Sequence, residues 1–178
     1  MKNLIVVFLA LFSTFSISAQ REIDSLTIKY AEKVISLDST LNTLYGVISG
    51  EKGEERDWQL FKFLFHPDAK LIPSGKNKEG TFSVRYISAQ EYIDLSGKWL
   101  EENGFHEIEI NRKVDTFGNI TQVFSTYESF HSKEDKDPFM RGINSIQLLY
   151  DENRWWILNI YWTQETPENP IPKAYLKN

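Results

Sequence analysis

The sequence predicts an α+β domain, with helices first and then a curved antiparallel meander of four long strands. Three observations carry that prediction. Before position 66, apolar residues recur at three- and four-residue spacing, the helical period. From position 105 onward the period is two. The last two strand runs, FMRGINSIQLLY and WWILNIYW across the turn DENR, are apolar on both faces, so something must cover each side of the sheet there.

The elements follow in order. Ile23, Leu26, Tyr30, Ala31, Val34 and Ile35 define a first helix from Arg21 to Leu37. Asp38-Ser39-Thr40 offers caps for a second helix through Leu41, Leu44, Tyr45 and Ile48. The charged break GEKGEER precedes a third, Asp57 to Phe65, with Trp58, Phe61, Leu64 and Phe65 on its apolar side. His66-Pro67 ends it, because the residue before a proline avoids helical geometry. Asp68–Ser74 and Gly80–Ile87 read as two short strands around a GKNKEG turn. Ser88-Ala89-Gln90-Glu91 is a capping box that opens a helix bearing Tyr92, Ile93, Leu95, Trp99 and Leu100, stopped by Asn103-Gly104. The meander is Phe105–Asp115, Ile120–His131, Phe139–Tyr150 and Arg154–Trp162.

The first nineteen residues stand apart. Met1-Lys2-Asn3, the apolar run Leu4–Phe15 and a small-residue end at Ala19 make the three-part pattern of a secretory signal peptide, so the mature protein is expected to start at Gln20 and to be exported to the periplasm or beyond. The apolar run is shorter than the ~20 residues a spanning helix needs, and no Cys follows it to take a bacterial lipid anchor. No membrane contact is therefore expected after cleavage. The full chain carries a formal charge of −5, and the leader's one charged residue is Lys2, so the mature domain is more acidic still. Without a basic cluster, nucleic acid and anionic membranes are poor partners. The absence of Cys excludes thiol catalysis, thiolate metal sites and disulfides, and three His (His66, His106, His131) make a His-rich metal centre a poor fit. No metal and no cofactor is expected. Five Trp, eight Tyr and twelve Phe imply a large aromatic core, a lined cavity, or both.

The order helix, helix, short helix, strand, strand, helix, four long strands resembles the nuclear transport factor 2-like superfamily, with its SnoaL-like cyclase and ketosteroid-isomerase relatives. The pieces carrying the likeness are LYGVISGEKGEERDWQLFKFLFHPDAKLIP, EYIDLSGKWL, FGNITQVFSTYES and INSIQLLYDENRWWILNIYW. The resemblance implies a cystatin-like cone, a four-stranded meander plus two short strands wrapped around three to four helices, with a cavity at the open end. It also implies a dimer through the outer sheet face. On that reading residues 1–19 are the signal peptide, 20–166 the domain and 167–178 a proline-rich tail along the surface. The superfamily has no shared catalytic motif, so the likeness speaks for architecture and not for activity.

Strand alternation nominates the site. On the Phe105 strand, His106, Ile108, Ile110, Arg112 and Val114 share one face, taken as inward; a turn centred on Phe117 pairs Arg112 with Gln122 and His106 with Glu128. In the last hairpin a turn between Glu152 and Asn153 pairs Leu148 with Ile157, Ile146 with Asn159 and Asn144 with Tyr161. The face Asn144, Ile146, Leu148, Trp155, Ile157, Asn159, Tyr161 mixes apolar with polar groups and is assigned to the cavity. The opposite face, with Trp156 and Trp162, is assigned to a partner copy. The expected ligand-binding residues are thus His106, Arg112, Asn144, Asn159 and Tyr161, orienting a small, largely apolar ligand. Two alternatives stand beside that reading. One is a lyase or isomerase with His106 or Asp68 as base and Tyr161 or Tyr127 as donor to an oxyanion. The other is a structural domain whose cavity its own side chains fill. No residue is assigned as catalytic.

Overall fold

The computed structural model describes residues 25–176 of the chain. The expected signal peptide and the start at Gln20 lie outside the described residues. The chain divides into two compact units, residues 1–32 and 33–178. In the first, the described residues are helical, the N-terminal part of α1 (25–34). Where one helix to Leu37 was expected, residues 35 and 36 break it.

The second unit carries the sheet. Helix α2 (Leu37–Ile48) starts ahead of the caps expected at Asp38-Ser39-Thr40, because Ser36 is its N-cap in a reciprocal box with Ser39. It buries Leu41, Leu44, Tyr45 and Ile48. Helix α3 (Trp58–Leu64) is capped by Asp57 and stops just ahead of the proline. Strand β1 (Phe65–Lys76) continues directly from it, with β2 (Phe82–Val84) as its hairpin partner. The capping box at Ser88–Glu91 opens α4 (Ala89–Tyr92), which passes through a π-helical turn (Ile93–Gly97) into α5 (Lys98–Asn103). The meander is β3 (His106–Phe117), β4 (Ile120–Phe130), β5 (Met140–Tyr150) and β6 (Trp155–Gln164). The sheet runs β2-β1-β6-β5-β4-β3, curved and unclosed, with β1 parallel to β6 and the other pairs antiparallel. Its helix-facing side packs into one core that includes Phe61, Leu64, Val123, Ile146, Leu148 and Ile157.

Two bulges set which side chains face that core. In the last hairpin Tyr150 pairs with Trp155 and Leu148 with Ile157, as alternation predicts. Then Gln147 pairs with Asn159, leaving Leu158 as an extra residue. One inserted residue flips every later side chain to the other face. Ile146 therefore meets Ile160 and Asn144 meets Trp162, rather than Asn159 and Tyr161. In the first hairpin the loop is Gly118-Asn119, tighter than a turn centred on Phe117, with Gly118 in the left-handed region at φ 57°. A second bulge falls between Glu109 and Asn111. His106 consequently pairs with Phe130 and Arg112 with Ser125, while Glu128 sits opposite Ile108.

The proline-rich tail is docked, not loose. Its 3-10 turn (Lys173–Tyr175) lies on the outer face, where Thr126 Oγ donates to the Tyr175 carbonyl (2.7 Å) and the Phe124 and Tyr175 rings sit 5.0 Å apart. Ile171 is buried, and its amide donates to Glu165 (2.8 Å).

Candidate functional site

On β3, the side chain that enters the cone is Glu107. Two backbone bridges between Gly50 and Phe105, at 2.8 and 3.0 Å, fix the start of the strand against the loop after α2. Ser49 Oγ then accepts from the Glu107 amide (2.9 Å) and donates to the Tyr45 carbonyl (2.7 Å), which ties the strand to the end of the helix. With the backbone so held, alternation turns Glu107 towards the helices, opposite Ser129 of β4.

A cavity of about 220 Å³ opens there. Its walls are mostly apolar: Leu44 and Ile48 from α2, Phe61 from α3, Leu71 from β1, and Ile160 and Trp162 from β6. Tyr92, Ser96, Trp99 and Leu100 come from the segmented helix, spaced so that one stripe faces inward. Trp99 is 46% exposed and stands at the rim. The polar groups are few and convergent: Glu107, Asn144, Tyr127, Tyr92 and Ser96.

Glu107 accepts from Ser129 Oγ (3.1 Å) and from the Asn144 amide. Burial outweighs those two bonds and pushes its carboxyl up to about 7. Burial also pushes the Tyr45, Tyr92 and Tyr127 hydroxyls far above their ordinary value, with Glu107 adding to each. Behind Glu107 runs an ordered polar chain. Asn144 Nδ2 donates to Tyr45 Oη (3.1 Å), whose hydroxyl lies 2.6 Å from Ser125 Oγ. Ser125 Oγ donates in turn to Glu109 (2.5 Å), which pairs with Arg112 (2.7 Å). Since an ionised Glu109 can only accept, Ser125 must take its own hydrogen bond from Tyr45. Tyr45 then accepts from Asn144. The chain thus fixes the amide orientation of Asn144.

Gly142 lets this wall close. A Cβ there would collide with Tyr127 Oη and the Thr163 carbonyl, so only glycine allows Tyr127 to lie across β5.

The expected residues are distributed as follows. Asn144 lines the cavity as expected. Asn159 and Tyr161 do not, because the bulge at Leu158 turns them outward; Tyr161 is 46% exposed and borders a groove under the tail. Trp162, expected on the outer face, lines the cavity for the same reason. His106 is buried, but beside an open cleft between α2 and β3, where Nε2 lies 3.1 Å from Glu51 Oε1 without the alignment of a hydrogen bond. Arg112 borders that same cleft, held by Asp38 and Glu109 (2.8 and 2.7 Å). Glu128 is with Arg141 (3.8 Å), not His106. Asp68 is exposed, with His66 3.9 Å away. Tyr127, named only in the alternative enzymatic reading, is in the cavity. Glu107 was the missed residue, and alternation alone could have found it had the opposite face been chosen. Among the described residues no cluster of His, Asp or Glu could hold a metal.

The fold is of the nuclear transport factor 2-like, cystatin-like class. A cystatin-like protein of unknown function from Nostoc punctiforme superposes with a TM-score of 0.53 at 11% identity, over 82% of this chain and 93% of that one. A nuclear transport factor 2-like protein of unknown function from Silicibacter pomeroyi gives 0.52 at 16% identity, over 72% and 92%. A provisionally assigned ketosteroid isomerase from Parabacteroides distasonis gives 0.50 at 14% identity, over 73% and 88%. No family model and no curated protein matches the sequence. At these identities the likeness is one of fold.

Proposed function

We propose that the domain binds a small, largely apolar molecule in the cone cavity and holds its polar end on Glu107, Asn144 and Tyr127. The observation that carries this reading is a carboxyl without an ion-pair partner among the described residues, bonded to Ser129, in the wall of an apolar, aromatic-lined cavity. Such sites combine apolar area for affinity with a few polar groups for orientation. A native mass spectrum of protein purified from its own compartment tests it. A retained small molecule that is lost on Asn144→Leu or Tyr127→Leu supports the reading. Uniformly empty protein, together with no binding in a fragment screen, overturns it.

A second reading is proton transfer, with Glu107 as the acid or base. A carboxyl pushed up to about 7 is matched to that work, since it can both give and take a proton near neutral pH. The Tyr127 and Tyr92 hydroxyls stand by as donors to a developing oxyanion. The fold likeness to a provisionally assigned ketosteroid isomerase agrees with this but brings no residue with it. Turnover of a retained ligand that follows one ionisation near pH 7 and disappears in Glu107→Gln selects this reading over simple binding.

Export and pairing are further parts of the proposal. The leader pattern supports export, and N-terminal sequencing that finds Gln20 on exported protein is the check. Pairing of two copies would use what the tail leaves open on the outer face, around Trp156 and Tyr161. Trp156→Glu is expected to convert a dimer to a monomer in sedimentation, and a monomeric wild type removes the idea.

A further inference from the structure

We infer that the cavity takes a small organic cation, an alkyl- or arylammonium whose charged head sits on Glu107 and whose apolar body lies among the aromatic rings. This deepens the binding reading above and rests on it.

Glu109, Glu128 and Glu165 of the sheet each have an arginine that Glu107 lacks. Glu109 has Arg112 at 2.7 Å. Glu165 has Arg141 at 2.7 Å, and Glu128 has the same arginine at 3.8 Å. Exposed Glu51 has His106 at 3.1 Å. Among the described residues no ion pair reaches Glu107, and among those lining the cavity there is no Lys, Arg or His. On the cavity side the groups facing it are neutral, Tyr45 of α2, Tyr92 of α4, Tyr127 and Ser129 of β4, and Asn144 of β5, while on its other side it borders the open cleft that His106, Arg112, Lys133 and Asp135 also line. The nearest charge on its own strand, Glu109, is already neutralised by Arg112. A desolvated carboxylate with no partner cation is costly, and the cavity lining supplies no cation to offset it.

The walls fit the same ligand. Phe61, Tyr92, Trp99, Phe105, Tyr127 and Trp162 all line the cavity. Aromatic rings attract ammonium groups electrostatically as well as by contact. A carboxylate ligand would instead meet Glu107 with like charge and find no arginine to receive it. At about 220 Å³ the cavity lies below the ~300 Å³ at which drug-sized pockets begin, so the ligand is small.

The test is a titration of the full chain with benzylamine, benzyl alcohol and benzoate by ligand-observed NMR. The three probes share one ring and differ in charge. Benzylamine is expected to bind at pH 8 at least roughly tenfold more tightly than benzyl alcohol, with benzoate weakest. Its affinity is expected to fall by roughly tenfold per pH unit below 7 as Glu107 takes up its proton, while that of the alcohol stays flat. Glu107→Gln is expected to lose the preference for the amine over benzyl alcohol. If benzyl alcohol binds as tightly as the amine, the cation inference is wrong and the cavity reading stands. If none of the three displaces from the cavity on Tyr127→Leu, the cavity is not a ligand site and both readings fall.

Discussion

Replacing Glu107 by Gln should make this protein more stable at neutral and basic pH, against the usual outcome for a buried polar residue. The carboxyl rises from 4.5 to about 7 on folding, chiefly through burial. Between those values the folded protein binds a proton that the unfolded chain has released. Stability is then greatest where Glu107 is protonated and falls as pH rises from 4.5 to 7. A shift of this size corresponds to about 3 kcal/mol lost by the ionised form, taking ~1.4 kcal/mol per pH unit. Glutamine keeps the acceptor for Ser129 and the shape of the side chain but has no charge to desolvate. The variant and the wild type are therefore expected to match near pH 4.5 and to diverge to about 3 kcal/mol at pH 8, in the variant's favour. Comparing the two removes the effect of other acids, including Glu51, Glu91, Asp151 and Glu165. Hydrogen bonds hold those four below their ordinary values, and they are common to both proteins. Urea unfolding at half-unit steps from pH 4.5 to 8 reads the divergence. Parallel stability curves would show that Glu107 is solvated or paired, and the case for an uncompensated cavity acid would fail.

Other perturbations check the geometry around it. Trp162→Ala should cost about 3 kcal/mol by cavity creation, and Tyr161→Ala less than half of that, because the bulge puts the first inside and the second outside; equal losses in denaturant midpoints would refute the flip. Gly142→Ala should cost about 1–3 kcal/mol by overpacking and shift the near-ultraviolet signal of Tyr127, which has to move to admit the methyl group. Arg56→Met should cost about 3 kcal/mol in chemical denaturation, since it strips a buried guanidinium from the Ile48, Gly50 and Leu100 carbonyls, of which Gly50 keeps the Phe105 amide as a donor.

Much of the architecture was legible because it follows from period and punctuation. The change from helical to alternating spacing near position 105, the capping box at Ser88 and the stop at Asn103-Gly104 all correspond to observed element boundaries. So does the proline that ends α3. These signals are local: each is written in two to four neighbouring residues. The bulges are not. A β-bulge is a response of one strand to the curvature of the whole sheet, and neither Ile110 nor Leu158 carries a residue type that announces it. Asn144, on the turn-proximal logic of β5, was read correctly because no irregularity interrupts that strand's burial alternation. Asn159 and Tyr161 were misread because they lie one bulge beyond the turn that set the register.

The missed acid has a different cause. On β3 the sequence offers two candidate inner faces, and the hydrophobic rule prefers the one with Ile108, Ile110 and Val114 over the one with Glu107 and Glu109. That rule assumes that charge belongs outside. Here Ile108 is 48% exposed and Val114 41%, while both glutamates turn towards the helices. The two are handled differently. Glu109 pairs with Arg112 and anchors the chain through Ser125 and Tyr45 to Asn144. Glu107, two residues earlier and on the same face, is given donors but no cation. A fold that neutralises one inward carboxylate with an arginine and leaves its neighbour bare maintains a cost that packing does not require, since an apolar residue would fill the Glu107 position without it. Local rules fail where a chain departs from its own stability, and such departures concentrate at working sites. That asymmetry between Glu107 and Glu109 is the reason to look for function in the cavity beside Glu107.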